Sequence, residues 1–181
     1  GKRFTYKHND IESLEKNLIR ASKVANKTGG GILVISEGVF GMRGEQGKLK
    51  EIVKLKEKYK FRFLVDDAHG FGTLGRNGSG TGDEQGIQDE IDVYFATFAK
   101  SIASTGAFIA GSKEVIDFLK YNMRSQMFAK SLQSVLVYGI IKRVEMMKSR
   151  SEFKNKLWEN VYSLQEGLKK RGFDIGNTQS C

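Results

Sequence analysis

Two stretches of the chain carry chemically capable side chains at matching positions. The apolar run Phe61 to Val65 ends in Asp66, with His69 three residues on, and the run Ile91 to Ala96 ends in Thr97, with Lys100 three residues on. Short apolar runs of this kind read as buried strands. In a parallel sheet the carboxyl ends of the strands share one edge, and ligands bind along that edge. An acid, an imidazole, a hydroxyl and an amine can then converge there. Pyridoxal phosphate requires such a set: a lysine amine for a Schiff base, an aspartate facing the pyridine nitrogen, and hydroxyl or backbone donors for the phosphate. By keeping that nitrogen protonated, the aspartate lets the ring take up the electrons of a carbanion at the substrate carbon. Each residue also has a plainer use. Lys100 can be a solvated charge, Asp66 and His69 can cap turns, and the Thr97 hydroxyl can bond to backbone.

Hydrophobic spacing supplies the elements that must hold these residues. Asn9 and Asp10 precede Ile11, Leu14 and Leu18, a capped helix that Gly29 to Gly31 end before the strand Ile32 to Ile35. Gly47 to Tyr59 has Leu49, Ile52, Val53 and Leu55 on one side and reads as a helix, while Ala107 to Ala110 reads as a fourth strand. The chain has 21 glycines and no proline, and Gly70, Gly72, Gly75, Gly78, Gly80, Gly82 and Gly86 crowd into one short stretch. That density excludes a helix interior and makes a poor strand, leaving a loop of tight turns or close ligand approach. Helices alone follow, over Lys113 to Tyr121, Ser131 to Lys148 and Ser151 to Arg171, and Phe173 to Ile175 looks like the start of a strand. The pattern is that of an α/β domain with a parallel sheet leading into a separate subdomain. Residues 1–135 are assigned to the large domain, and 136–181 to connecting helices and the beginning of a subdomain that is cut short.

Composition narrows the function classes. With 30 Lys+Arg against 21 Asp+Glu, a charge of +9, 39% hydrophobic and 28% charged residues, the 181-residue chain is an ordinary globular one. Its apolar runs fall far short of the roughly 20 residues that cross a bilayer, and no leader pattern opens it, so no transmembrane segment and a cytoplasmic setting are expected. One cysteine excludes an intrachain disulfide framework, and with only two histidines a Cys/His zinc site has too few ligands. Residues 142–171 hold nine Lys/Arg against four Glu. This reads as a solvated helix face, the alternative being a face for nucleic acid or another anion. Gly70, Gly72 and Gly75 have dinucleotide-motif spacing, yet Arg76 to Gly82 continue the loop where that motif opens a helix. Asp66, Asp67, Ala68 and His69 are similar to a helicase magnesium box, but no phosphate loop ending in Gly-Lys-Ser/Thr accompanies them.

Three groups of residues, in this order and spacing, carry a more specific resemblance: Glu37 to Met42, Val65 to Gly75, and Thr97 to Lys100 followed by Gly106, Ala107 and Phe108. They resemble the α-oxoamine synthase family, fold type I pyridoxal-phosphate enzymes that condense an amino acid with an acyl-coenzyme A. Arg124 to Leu132 and Leu157 to Asn160 are most similar to the bacterial serine palmitoyltransferases within it. The resemblance implies an aspartate aminotransferase-like α/β large domain with the beginning of the C-terminal small domain. It implies Lys100 as the Schiff-base lysine and Asp66 as the partner of the ring nitrogen. His69 would pair with the ring hydroxyl and Thr97 with the phosphate. The implied reaction joins L-serine to palmitoyl-coenzyme A in the first step of sphingolipid synthesis. Its alternatives are condensation of glycine or alanine with another acyl-coenzyme A, or a non-catalytic subunit of the same fold. A homodimer is implied, and nucleic acid is not.

The departures are specific. Many relatives have Ser where Gly41 stands and Glu where Asp67 stands, and prolines often follow the position of Leu132, where this chain has Gln133 and Ser134. The family's ring-stacking histidine and upstream phosphate segment precede the position of Gly1, and its carboxylate-binding arginine follows that of Cys181. The chain therefore resembles the central part of such an enzyme, and by itself is expected to be inactive.

Overall fold

The computed structural model describes residues 1–181. Asp10 opens helix α1 (Ile11–Thr28) by accepting the Ser13 N–H at 2.8 Å, and Gly29, at φ 68°, closes it in the left-handed conformation. Helical spacing turns Leu14 and Leu18 inward. There they join Val34, Phe63 and Val65 of the sheet and Leu49, Ile52 and Leu55 of the next helix in the main core cluster.

The sheet consists of β1 (Leu33–Glu37), β4 (Arg62–Asp66), β5 (Val93–Thr97) and β6 (Ala107–Gly111), in that spatial order. β1, β4 and β5 run parallel, as the sequence pattern predicts, but β6 is antiparallel to β5. The cause is the short connection over residues 98–106. A parallel return needs a crossover of roughly a dozen residues or more, so this one folds straight back. A small hairpin of β2 (Val39–Phe40) and β3 (Glu45–Gln46), too short to show as a hydrophobic period, lies beyond the end of β1.

Other expectations are corrected in detail. The helix expected over Gly47 to Tyr59 is α2 (Leu49–Lys54) with a 3-10 turn, Leu55–Glu57, because the Gly47 N–H is taken by Gly38 O at 2.7 Å as the chain leaves the hairpin. The glycine-rich stretch contains a single helical turn, α3 (Thr81–Glu84), with Gly82 inside it. Space explains that glycine, since a Cβ there would stand 2.4 Å from Gln88 Oε1. After α4 (Lys113–Asn122), a turn α5 (Arg124–Met127) and α6 (Ser134–Ser149) precede α7 (Ser151–Lys170). Residues 173–175 are not a strand. Gly172, at φ 81°, and Phe173 spend their N–H groups on Lys169 O and Leu168 O, closing α7 in a Schellman motif.

The late helices are attached to the sheet end that carries the candidate residues. Ile140 of α6, backed by Val144 and Met147, packs with Phe71, Tyr94, Ala96 and Ile102 in a second core cluster. Along α7, Trp158 Nε1 donates to Thr73 O at 2.8 Å and the Lys154 ammonium donates to Gly75 O, holding the glycine loop from outside. The four glutamates of residues 142–171 pair with Lys142, Arg150, Lys156 and Lys170, as on a solvated face. No helix is long and apolar enough to cross a membrane.

Candidate active site

Sheet register brings the two stretches together. Asp66 pairs with Glu37 on one side and Phe95 on the other, so Thr97 lies two residues, roughly 7 Å, further along the neighbouring strand. Side chains alternate across the sheet. Buried Val65 and Ala96 face the packed side, while half-buried Asp66 and Thr97 leave from the opposite face, the one on which Leu33 and Ile35 are exposed. The loops after β4 and β5 carry His69 and Lys100 from the same edge, and both side chains are exposed.

Lys100 combines a fixed backbone with a free amine. Its carbonyl accepts the Ala103 N–H at 2.9 Å, Ser104 N donates to Phe98 O at 2.8 Å, and Ile102 is buried in the second core cluster. Ser101 Oγ donates to Phe71 O at 2.7 Å, tying this loop to the one after Asp66. Gly72 permits that contact, because a Cβ there would lie 2.3 Å from Ser101 Oγ. Sequence reading passed over Ser101 and Ile102. A serine and an isoleucine next to a lysine give no sign that they fix its place.

Asp66 accepts the Ala68 N–H at 3.1 Å, turning the chain toward His69, and Thr73 Oγ1 donates to His69 O at 3.0 Å. The Thr97 hydroxyl donates to Gly106 O and accepts from Ala99 N, both at 3.1 Å. It is thus the backbone-bonded hydroxyl weighed above, and to donate elsewhere it must rotate off Gly106 O. Ser104 Oγ is buried with no hydrogen-bond partner, leaving donor capacity unused in the lysine loop.

The most buried polar residue beside the site is Asp67. Its carboxylate accepts from Thr81 N at 2.7 Å, Thr81 Oγ1 at 2.6 Å and Tyr94 OH at 2.7 Å, pinning the far end of the glycine loop to the strand end. Burial raises its pKa and outweighs the lowering by these bonds. The Tyr94 hydroxyl is pushed strongly upward by its own burial and by the adjacent carboxylate. Three glycines enclose the group: a Cβ at Gly38, Gly70 or Gly80 would approach a carboxylate oxygen to 2.0, 2.3 or 2.1 Å.

An α/β sheet with an aspartate at one strand end and an exposed lysine in the loop after its neighbour has the fold type I, pyridoxal-phosphate-dependent transferase architecture. The family model for aminotransferase class I and II matches residues 1–181, and the chain belongs to that family. It is 71% identical over its whole length to the cysteate-C-fatty acyltransferase of Capnocytophaga ochracea, covering 43% of that protein. It is 39% identical to the serine palmitoyltransferase of Sphingobacterium spiritivorum, with 97% of this chain and 43% of that protein aligned. Among solved structures, a Sphingomonas wittichii serine palmitoyltransferase superposes with a TM-score of 0.87 at 31% identity, over 97% of this chain and 43% of that one. The chain thus spans less than half the length of these relatives.

Proposed function

We propose that the complete polypeptide is a pyridoxal-phosphate-dependent C-acyltransferase that condenses an amino acid with a fatty acyl-coenzyme A and releases carbon dioxide. One observation carries this reading: Asp66, His69, Thr97 and Lys100 lie at a single edge formed by two adjacent parallel strands. The donor set fits the cofactor. Lys100 offers the amine, Asp66 an acceptor for a protonated ring nitrogen, His69 a partner for the ring hydroxyl, and Thr97, once rotated off Gly106 O, a donor for the phosphate, with the unpartnered Ser104 hydroxyl of the lysine loop as unused donor capacity. Bound there, pyridoxal phosphate supplies an electron sink for the substrate carbon.

The chain's own groups divide the remaining work. Lys100 would hold the cofactor, and its amine, when free, would be the base for the proton on the substrate carbon. Asp66 keeps a proton on the ring nitrogen. Ile102 and the Ser101 bond hold the lysine backbone still while its side chain moves between these roles.

The family resemblance implies L-serine as the amino acid. The 71% relative is named for cysteate, and on that likeness cysteate is our first choice, with serine second. Glycine- or alanine-type condensation is the alternative, the 8-amino-7-oxononanoate synthases aligning at 36–38% and the serine palmitoyltransferases at 37–39%. In this reading residues 1–135 belong to the cofactor domain and 136–181 begin the second subdomain, with Ile140 at the seam. The enzyme works as a cytoplasmic homodimer. Exposed Phe118, Tyr121, Phe128, Val135 and Tyr138 support the dimer as apolar surface in need of cover.

The experiment is borohydride reduction of the complete polypeptide mixed with pyridoxal phosphate, then peptide mapping, and release of coenzyme A from palmitoyl-coenzyme A with cysteate or serine. A pyridoxyl group on Lys100 and turnover with one of the two are expected. A label elsewhere refutes the site, and turnover with neither refutes the reaction.

A further inference from the structure

We infer that the cavity behind the lysine loop is a binding site for the dianion of an organic phosphate, on the side of the sheet away from Asp66 and Thr97.

The cavity has a volume of about 250 Å³ and lies between the glycine loop, the lysine loop and the junction of α6 with α7. Its inner wall is Ser101, Ile102 and Ala103, the three residues after Lys100. Ile102 packs with Ala96 in the second core cluster, and Ala96 leaves β5 from the face opposite to Thr97. An occupant therefore rests against the lysine loop from behind.

Charge marks the site. Arg76, Arg143, Arg150 and Lys154 line the cavity, and no Asp or Glu does. Two of the four are compensated just outside it, Arg76 by Asp83 at 2.8 Å and Arg150 by Glu152 at 3.0 Å. The other two are not. The Lys154 ammonium has only a carbonyl, Gly75 O, and Arg143 is in no ion pair, because the glutamates of α6 and α7 are taken by Lys142, Arg150, Lys156 and Lys170. The Arg143 guanidinium lies over Gly139, where a Cβ would come within 2.9 Å of Nη1. Two uncompensated cations on successive helices thus share one cavity, and they attract a group with two negative charges. A phosphate ester has that charge near neutral pH, and its oxygens match a guanidinium fork on one side and an ammonium on the other.

The remaining lining sets the other half of the ligand. Met146, Met147 and Phe153 supply apolar surface beside the cations, and Gly72 and Gly78, at φ 85° and 75°, present bare backbone. Inorganic phosphate leaves that apolar surface in water, whereas an ester with a small aromatic or aliphatic body covers it.

The test uses the complete polypeptide with pyridoxal phosphate fixed by borohydride reduction and the excess dialysed away, so that the cofactor's own place is filled. Should reduction fix none, the same titrations are made on the untreated polypeptide. Phenyl phosphate, titrated by calorimetry in about 0.1 M sodium chloride, should bind saturably and several-fold more tightly than inorganic phosphate. Arg143→Gln should weaken it about tenfold or more, and this side chain, exposed and without a hydrogen bond, can be replaced without loss of the fold. Lys169→Gln removes a charge roughly 22 Å further along α7, about two Debye lengths away, and should leave binding unchanged. Absence of saturable binding, equal affinity for inorganic phosphate, or equal weakening by Arg143→Gln and Lys169→Gln would overturn the inference.

Discussion

Alanine at position 67 is expected to be far more damaging than asparagine, although both remove the charge. The Asp67 side chain is fully buried and accepts from three donors, Thr81 N, Thr81 Oγ1 and Tyr94 OH, at 2.6–2.7 Å. Alanine orphans all three, and a buried donor without a partner costs about 1–3 kcal/mol. Tyr94 recovers part of this at Ser79 O, 3.3 Å away, and the Thr81 hydroxyl can turn, which brings the expected loss to about 3–6 kcal/mol. Asparagine can satisfy the same three groups. Its carbonyl takes the place of Oδ2, accepting from Thr81 N and Tyr94 OH, and its amide takes the place of Oδ1, where the Thr81 hydroxyl rotates to accept. Its cost should be about 1 kcal/mol or less, because no charge is buried. The pH dependence is distinctive. The folded pKa of Asp67 is raised above its ordinary 3.8, so wild-type stability relative to Asp67→Asn is greatest below that value and declines as pH rises through the raised one. Denaturant midpoints of the complete polypeptide measure all of this. Equal losses for the two substitutions, or a loss under about 1 kcal/mol for alanine, would refute the account of how the glycine loop is held.

Asp66→Asn keeps an acceptor for Ala68 N but loses the charge facing the ring nitrogen, so it should retain the pyridoxyl label on Lys100 while turnover falls by about 10²–10³-fold; unchanged turnover would contradict the role. Asp92→Ala removes the acceptor for Lys56 Nζ, Arg62 NH1 and Phe63 N and should cost about 2–3 kcal/mol, Arg62 being largely solvated. Against its own desolvation, those bonds hold the Asp92 carboxyl below its ordinary 3.8, so the gap between wild type and variant should be full above that value and close as pH falls below it. A gap constant with pH, followed by urea unfolding, would rule out the ion pairs as its source.

Features that depend on local spacing are legible in the chain alone. Asp10 and Gly29 bracket α1 because a cap and a left-handed terminus are properties of single residues. β4 and β5 show as apolar runs because both carry core-facing side chains, and Asp66, His69, Thr97 and Lys100 stand out because polar groups follow those runs at equal spacing. Tertiary structure decided the rest. The reversal of β6 follows from a connection too short to cross over, and the failure of residues 173–175 to form a strand follows from a cap that uses their first N–H. The burial of Asp67 depends on Thr81 and Tyr94, and on glycines at positions 38, 70 and 80, which no local period relates. The clasp of Ser101 on Phe71 likewise joins residues 30 positions apart. Hydrophobic periodicity reports which face of an element is buried, and it carries no information about which distant group stands opposite a given polar atom, because that is fixed only when packed elements bring the two within hydrogen-bond reach.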